Sequence, residues 1–270
     1  MKELKIEGLF YLSIFEQYVI YHNVILLTLN SLIIITIGIL AVTWAFVINK
    51  RYNKRRYEEF MKDHIAKRGF INKERLNLSQ KNRAVFLDRD GTIIIDKVET
   101  RKIEDLEFFN DIQSLKRLSD ANFLLIIVTN QSGIGKGNYS VKEMTAFNDY
   151  MISRLKELGI VIDALYYCPH KTEDNCQCKK PKDGMLRRAA IELNVDLSQS
   201  YIIGDQNTDI MAGINAGLKE GIAVPTGLYP KNASKKYEKD PLIADKTIVC
   251  QSLKDAVDEV LKKEFYVNDD

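Results

Sequence analysis

The chain has 270 residues, 46% of them hydrophobic, and a formal net charge of +2 from 39 basic and 37 acidic side chains. That balance gives no basis for polyanion binding driven by bulk charge, and no internal repeat or low-complexity tract points to a solenoid or a disordered chain. Setting aside the first eighty or so residues leaves about 190, enough for one well-buried α/β domain.

In chain order, residues 1–23 come first as a short extracytoplasmic or interfacial segment. Within it, Gly8 to Tyr21 is aromatic and mostly apolar, which suits an interfacial stretch or a short packed helix. Residues 24–48 carry no charge at all. As a helix they would reach about 37 Å, enough to cross a bilayer core with some tilt. The stretch is too long for a signal-peptide core and no small-x-small cleavage site follows it. It is also apolar on every face, unlike a helix packed on a globular core. A transmembrane helix is therefore expected, with the lipid bilayer as its partner. Lys50, Arg51, Lys54, Arg55 and Arg56 follow it, against Lys2 and Lys5 before it, so the positive-inside rule puts the rest of the chain on the cytoplasmic face of the cell membrane. Beside a span, such a basic run reads as topology or anionic-lipid contact rather than a nucleic-acid patch. Residues 49–82 read as a charged juxtamembrane linker, and 266–270 as a tail.

Between them, residues 83–265 show strand and helix patterns in alternation. Strands are expected at 85–87, 124–128, 164–167, 201–203 and 221–224, with helices at 112–121, 141–158, 185–193 and 208–216. An edge strand at 248–250 and a closing helix at 253–261 complete the set. Alternation of this kind predicts an α/β fold, a Rossmann-like parallel sheet with helices on both faces.

The first strand delivers Asp88 and Asp90 into a glycine turn at Gly91. Side chains two apart on an extended segment share a face, so both carboxylates can converge on one cation and one phosphate. A carboxylate is a poor nucleophile toward an anionic phosphate, so a divalent ion is expected to hold the reactants. The second strand ends in Thr129-Asn130-Gln131-Ser132-Gly133, and the third in Gly204-Asp205 with Asp209 four residues on. Lys179 and Lys180 sit in a loop between them. Open α/β sheets bind ligands beyond the strand carboxyl ends, so these segments define one crevice. Asp209 is open to two readings, a metal-shell carboxylate or the start of the next helix.

Cys168, His170, Cys176 and Cys178 lie within eleven residues. Three sulfurs and an imidazole suffice for a closed tetrahedral zinc site, structural because no position is left for water, and its loop leads directly into Lys180. Cys250 reads as a buried strand residue.

Asp88-Arg-Asp-Gly-Thr92, the strand-end Thr129, Lys180 and Gly204 to Asp209 resemble the haloacid-dehalogenase-like phosphatases in order and spacing, over residues 84–226. The resemblance implies Asp88 as nucleophile and Asp90 as acid/base. It also implies Thr129 and Lys180 as ligands of the transferring phosphoryl group, and a magnesium site of Asp88, Asp90 and Asp205. The cysteine loop is similar to that of the branch holding the D,D-heptose 1,7-bisphosphate 7-phosphatases and the histidinol-phosphate phosphatases. The segments 129–135, 166–170 and 180–186 lean toward the heptose enzymes, with a small phosphosugar as substrate, no nucleic acid as partner, no large cap and a monomeric catalytic domain. Substrate contacts are then expected from Arg89, Asp96, Asn130, Gln131, Ser132, Lys179 and Gln206. Lys179 and Gln206 depart from the heptose pattern, which usually has arginine at the first position and a lysine or arginine at the second, and lysine lacks arginine's two-point grip on phosphate. Two other readings stand beside the enzyme, an inactive membrane-anchored scaffold that only binds a phosphosugar and a nucleic-acid 3′-phosphatase. The second would want a basic, aromatic groove that the sequence does not supply.

Overall fold

The computed structural model describes residues 67–76, 79–224 and 245–265. The expected segment 1–23, the span 24–48, most of the linker and the tail 266–270 lie outside the described residues. Among those described, no helix is long and apolar enough to cross a membrane.

Seven strands are found: β1 (Lys67–Ile71), β2 (Arg83–Leu87), β3 (Phe123–Asn130), β4 (Ala164–Cys168), β5 (Tyr201–Gly204), β6 (Glu220–Ala223) and β7 (Thr247–Val249). They form one sheet in the order β1-β4-β3-β2-β5-β6-β7. Every pairing is parallel except that of β1 with β4. The expected sheet is thus parallel from β4 to β7, with one antiparallel edge.

Strand β1, Lys67–Ile71, lies within the highly charged segment expected to be linker. Its main chain nevertheless pairs with β4 across an irregularity between Arg68 and Phe70, and Phe70 packs against the core. Arg75, also in the supposed linker, donates to Asp163 Oδ2 at 2.9 Å and to the carbonyls of Ser119 and Phe123. The sheet and its packing therefore take in residues before 83.

The central strands are buried on both faces, which explains their continuous apolar runs. Val85 and Leu87 of β2, with Phe123, Leu125 and Ile127 of β3, join a large core cluster on one face. Three helices cover that face: α1 (Leu115–Asp120), α3 (Val141–Glu157) and α6 (Leu253–Phe265), the last running beyond the expected Leu261. Helix α2 is a single turn, Ser132–Gly135, after β3. On the other face lie α4 (Gly184–Glu192) and α5 (Asn207–Ala216), where Ile210 packs with Ala223.

Helix α3 shows why these segments are helical. Ser140 and Glu143 form a capping box at its start, and Arg154 and Lys156 stand in its last turn, where cations suit the helix dipole. Met144, Phe147, Met151 and Leu155 recur at three- and four-residue spacing and are buried. Truncating a residue such as Phe147 to alanine costs about 3–5 kcal/mol.

Candidate active site

The carboxyl ends of β2, β3 and β5 carry the site. Asp88 follows β2 directly, and its backbone N–H donates to Ile203 O at 3.0 Å. Gly91, at φ 82°, then turns the chain in the left-handed region that glycine enters without strain.

Asp88, Asp205 and Asp209 are all buried, with carboxylate oxygens within 4.8 Å of one another. One cation joins Asp88 and Asp209. Lys180 Nζ lies 2.5 Å from Asp88 Oδ1, 2.7 Å from Asp209 Oδ1 and 2.8 Å from Val128 O, so its three protons are all engaged. Asn130 holds the same lysine by its backbone, its Oδ1 accepting from Lys180 N and its Nδ2 donating to Lys180 O. Burial opposes the ammonium, but Asp209 and Asp88 outweigh it and hold the lysine pKa above its usual value. Burial raises Asp88 well above the usual carboxylate range; Lys180 counters this, and Asp209, Asp205 and Asp90 add to it. Asp205 is pushed up to about 7, first by burial and next by the charge of Asp209.

Asp209 gives Oδ1 to Lys180 and Oδ2 to the backbone N–H of Gln206, so it both starts α5 and steadies the lysine. Asp205 gives Oδ2 to Gln206 Nε2 at 2.8 Å, whereas its Oδ1 is buried with no hydrogen-bond partner, as is Asn207 Oδ1 on the next turn. Orphaned hard oxygens beside a carboxylate cluster fit a divalent cation such as magnesium, which also relieves their mutual repulsion.

The Asp90 carboxylate lies outside this cluster: Arg89 grips it through Nε at 3.0 Å and Nη2 at 2.9 Å, and Gln131 Nε2 donates to it at 3.0 Å.

The side chains expected to touch substrate have internal partners of their own. Arg89 is fully buried, with Nη1 donating to Asn148 Oδ1 and Nη2 to Thr100 O, and its guanidinium lies 5.0 Å from the Phe147 ring centroid. It is an internal clamp. Gln131, 2% exposed, spends its Nε2 on Asp90 and on Thr129 Oγ1, and its Oε1 accepts from Tyr139 OH at 2.7 Å. Both amide atoms of Asn130 are occupied by Lys180. Asp96 is half-buried at the start of a loop and accepts from Val98 N. Burial raises its pKa. Ser132 and Lys179 remain partly exposed and bonded to each other, Nζ to Oγ, and Gln206 is partly exposed at the start of α5. Thr129 is buried at the crevice floor. Tyr139 and Asn148 had not been singled out from the sequence.

The four cysteine-loop residues do converge. Cys168, at the end of β4, stands 3.2 Å from Cys178 and 3.6 Å from Cys176, Sγ to Sγ, and His170 Nδ1 is 3.2 Å from Cys178 Sγ. The hydrogen bond from Cys178 is the largest influence lowering Cys168, to about 6. Three soft sulfurs and an imidazole, all four ligating atoms within 4.8 Å of each other, form a donor set that fits zinc. Lys182 Nζ ties the loop together through the carbonyls of Asn175 and Cys176.

Residues 177–256 match a HAD-hydrolase-like family model. A D-glycero-beta-D-manno-heptose-1,7-bisphosphate 7-phosphatase from Haemophilus ducreyi is 42% identical over 153 residues, 54% of this chain and 84% of the relative. One of the same description from Helicobacter pylori is 38% identical over 179 residues, 66% of this chain and 96% of the relative. An alpha-anomer 7-phosphatase from Campylobacter jejuni is 46% identical over 139 residues, 51% of this chain and 80% of the relative. Among solved structures, the D,D-heptose 1,7-bisphosphate phosphatase of B. bronchiseptica, complexed with magnesium and phosphate, is 30% identical with a TM-score of 0.60, covering 67% of this chain and 99% of that one.

Proposed function

Because this chain belongs to the HAD-like D-glycero-D-manno-heptose-1,7-bisphosphate 7-phosphatase family, we propose that it removes the 7-phosphate of such a bisphosphate through an aspartyl phosphate on Asp88. It is a phosphoric monoester hydrolase. The observation that carries the mechanism is the buried, partnerless Asp205 Oδ1 beside Asp88 and Lys180.

Asp88, Asp90 and Asp205 would hold magnesium, with Asp209 beside them, and the metal when bound would offset phosphate charge and steady the geometry of attack. The attacking group is an Asp88 carboxylate oxygen. Lys180 and Thr129 flank it and hold the transferring phosphoryl oxygens. Asp90, held by Arg89 and Gln131, gives a proton to the departing sugar oxygen. It then takes one from the water that cleaves the aspartyl phosphate, so the cycle returns Asp88 and Asp90 to their starting forms.

Cys168, His170, Cys176 and Cys178 would hold a structural zinc that shapes the approach to Lys179 and Lys180. These two lysines directly follow Cys178, so the loop that would close around the metal also sets the lysine backbone. Lys179 and Ser132 stand at the partly exposed rim and are the contacts best placed for the rest of the sugar phosphate. The catalytic domain works as a monomer in this reading. Residues 24–48 anchor the chain in the cell membrane, and the basic run after them keeps the domain on the cytoplasmic side.

The test is phosphate release by the purified chain with magnesium, from the alpha and beta heptose 1,7-bisphosphates, histidinol phosphate and a 3′-phosphorylated oligonucleotide. Preference for a heptose bisphosphate is expected. Preference for either of the other two would replace the substrate, and release from none would remove the enzyme reading.

A further inference from the structure

A chain of buried polar contacts runs to the acid/base from Tyr139, which has no part in the mechanism above. Tyr139 is 6% exposed and Gln131 2%. Tyr139 OH donates to Gln131 Oε1 at 2.7 Å, and Gln131 Nε2 divides its two protons between Thr129 Oγ1 at 2.8 Å and Asp90 Oδ2 at 3.0 Å. The sense of this chain is set at Asp90: a carboxylate only accepts, so the Gln131 amide nitrogen faces it and the amide oxygen accepts from Tyr139 OH. Burial pushes the Tyr139 hydroxyl up to about 12.

The surroundings hold the phenol rather than leave it to swing. Its ring fills the space above Gly133, where an added Cβ would come within 2.1 Å of it. The Arg101 guanidinium lies 5.4 Å from the ring centroid on the loop that follows Thr100. On the other flank of Asp90, Arg89 is fixed by Asn148. The carboxylate is therefore gripped from two sides, by a cation whose position is set by α3 and by an amide that Tyr139 holds from behind.

We propose that Tyr139 is a positioning residue for the acid/base step: through Gln131 it holds the Asp90 carboxylate in the place where it meets the leaving oxygen and the hydrolytic water. The proposal rests on the phosphatase reading. It predicts a defect confined to the steps Asp90 serves, since the attack of Asp88 on phosphorus does not pass through the tyrosine.

The test compares the full chain with Tyr139→Phe on a heptose 1,7-bisphosphate and on p-nitrophenyl phosphate, with magnesium. Loss of the hydroxyl should lower kcat on the sugar phosphate on the order of 10- to 100-fold, a part of what a well-placed acid/base contributes, and leave KM within about twofold. Nitrophenolate leaves without a proton, so its pre-steady-state burst should keep its rate within about twofold while steady-state turnover falls. Gln131→Met removes the same link from the middle. It should copy Tyr139→Phe, and the double variant should be no slower than Gln131→Met alone within about twofold. An unchanged kcat, a burst slowed as much as the sugar reaction, a change in KM alone, or multiplying effects in the double variant would each overturn the role. If the parent chain releases phosphate from neither substrate, the phosphatase reading itself fails, a result distinct from all of these.

Discussion

Lys180 Nζ and Asp209 Oδ1 stand 2.7 Å apart, and both side chains are almost wholly removed from solvent. A buried ammonium persists only with its counter-charges, and Asp209 is the one that also caps the helix beneath the site. Asp209→Ala strips the lysine of a partner and leaves the Gln206 N–H unpaired. A loss of about 3–5 kcal/mol is expected, the cost of breaking a buried pair on one side, read from urea unfolding. A loss below about 1 kcal/mol would show that Asp88 alone satisfies the lysine.

Asp88→Asn changes one oxygen for an amide in the same volume. Turnover on every substrate should vanish, because the amide neither attacks phosphorus nor forms the acyl phosphate. Circular dichroism should match the parent. Turnover that persists above about 1% of the parent, once contamination is excluded, would remove the aspartyl-phosphate mechanism.

Asp163 gives a pH signature away from the catalytic groups. Its carboxylate is fully buried, accepts from Arg75 and from Leu125 N, and burial pushes its pKa up to about 6. An unfolded aspartate titrates near 4, so the folded state holds the proton more tightly. The stability this group contributes is complete below pH ~4 and is lost as pH rises through about 6. The advantage of the parent over Asp163→Asn should therefore shrink between pH 4 and 7.5, by on the order of 2–3 kcal/mol, in denaturant titrations at the two values. An advantage that grew with pH would mean that the Arg75 ion pair dominates.

The chain purified without added metal should carry about one zinc, and Cys178→Ser should lose it. Elemental analysis decides this. The variant should also unfold at lower temperature, and treatment of the parent with a strong chelator should reproduce that shift. A parent with no zinc, or a Cys178→Ser variant that keeps it, would return the cysteines to a set of packed thiols.

Two fragments test the edge strand. One starting at His64 keeps β1 and Arg75, while one starting at Lys81 removes both, along with the Phe70 packing. The shorter fragment should melt several degrees lower, as a loss of a few kcal/mol does in a domain of this size. Equal melting temperatures would show that the edge strand is dispensable.

Much of the site was legible because its signals are local. An apolar strand ending in Asp88, another ending in Thr129 and a third ending in Asp205 declare themselves by periodicity and turn residues, and the four zinc-loop residues by spacing. What stayed hidden depends on which way a side chain turns after the backbone is placed. Arg89 lies between two functional aspartates and so looked like a phosphate ligand, yet it points inward to Asn148 on a helix about sixty residues away in the chain. Gln131 sits among crevice residues but is closed off by Tyr139, and no short-range pattern marks that contact. Strand β1 was missed for a similar reason: Lys67-Arg68-Gly69 has little strand propensity, and pairing with β4 overrides it.

The antiparallel edge has a mechanical meaning. Lys67 pairs with Tyr167, beside Cys168 at the end of β4, whereas Ile71 pairs with Ala164 at its beginning. The polypeptide thus enters the domain at the rim that bears the crevice, not at the opposite pole of the sheet. A pull on the chain at Lys67 would therefore bear first on the β1–β4 ladder and on the strand that ends in Cys168.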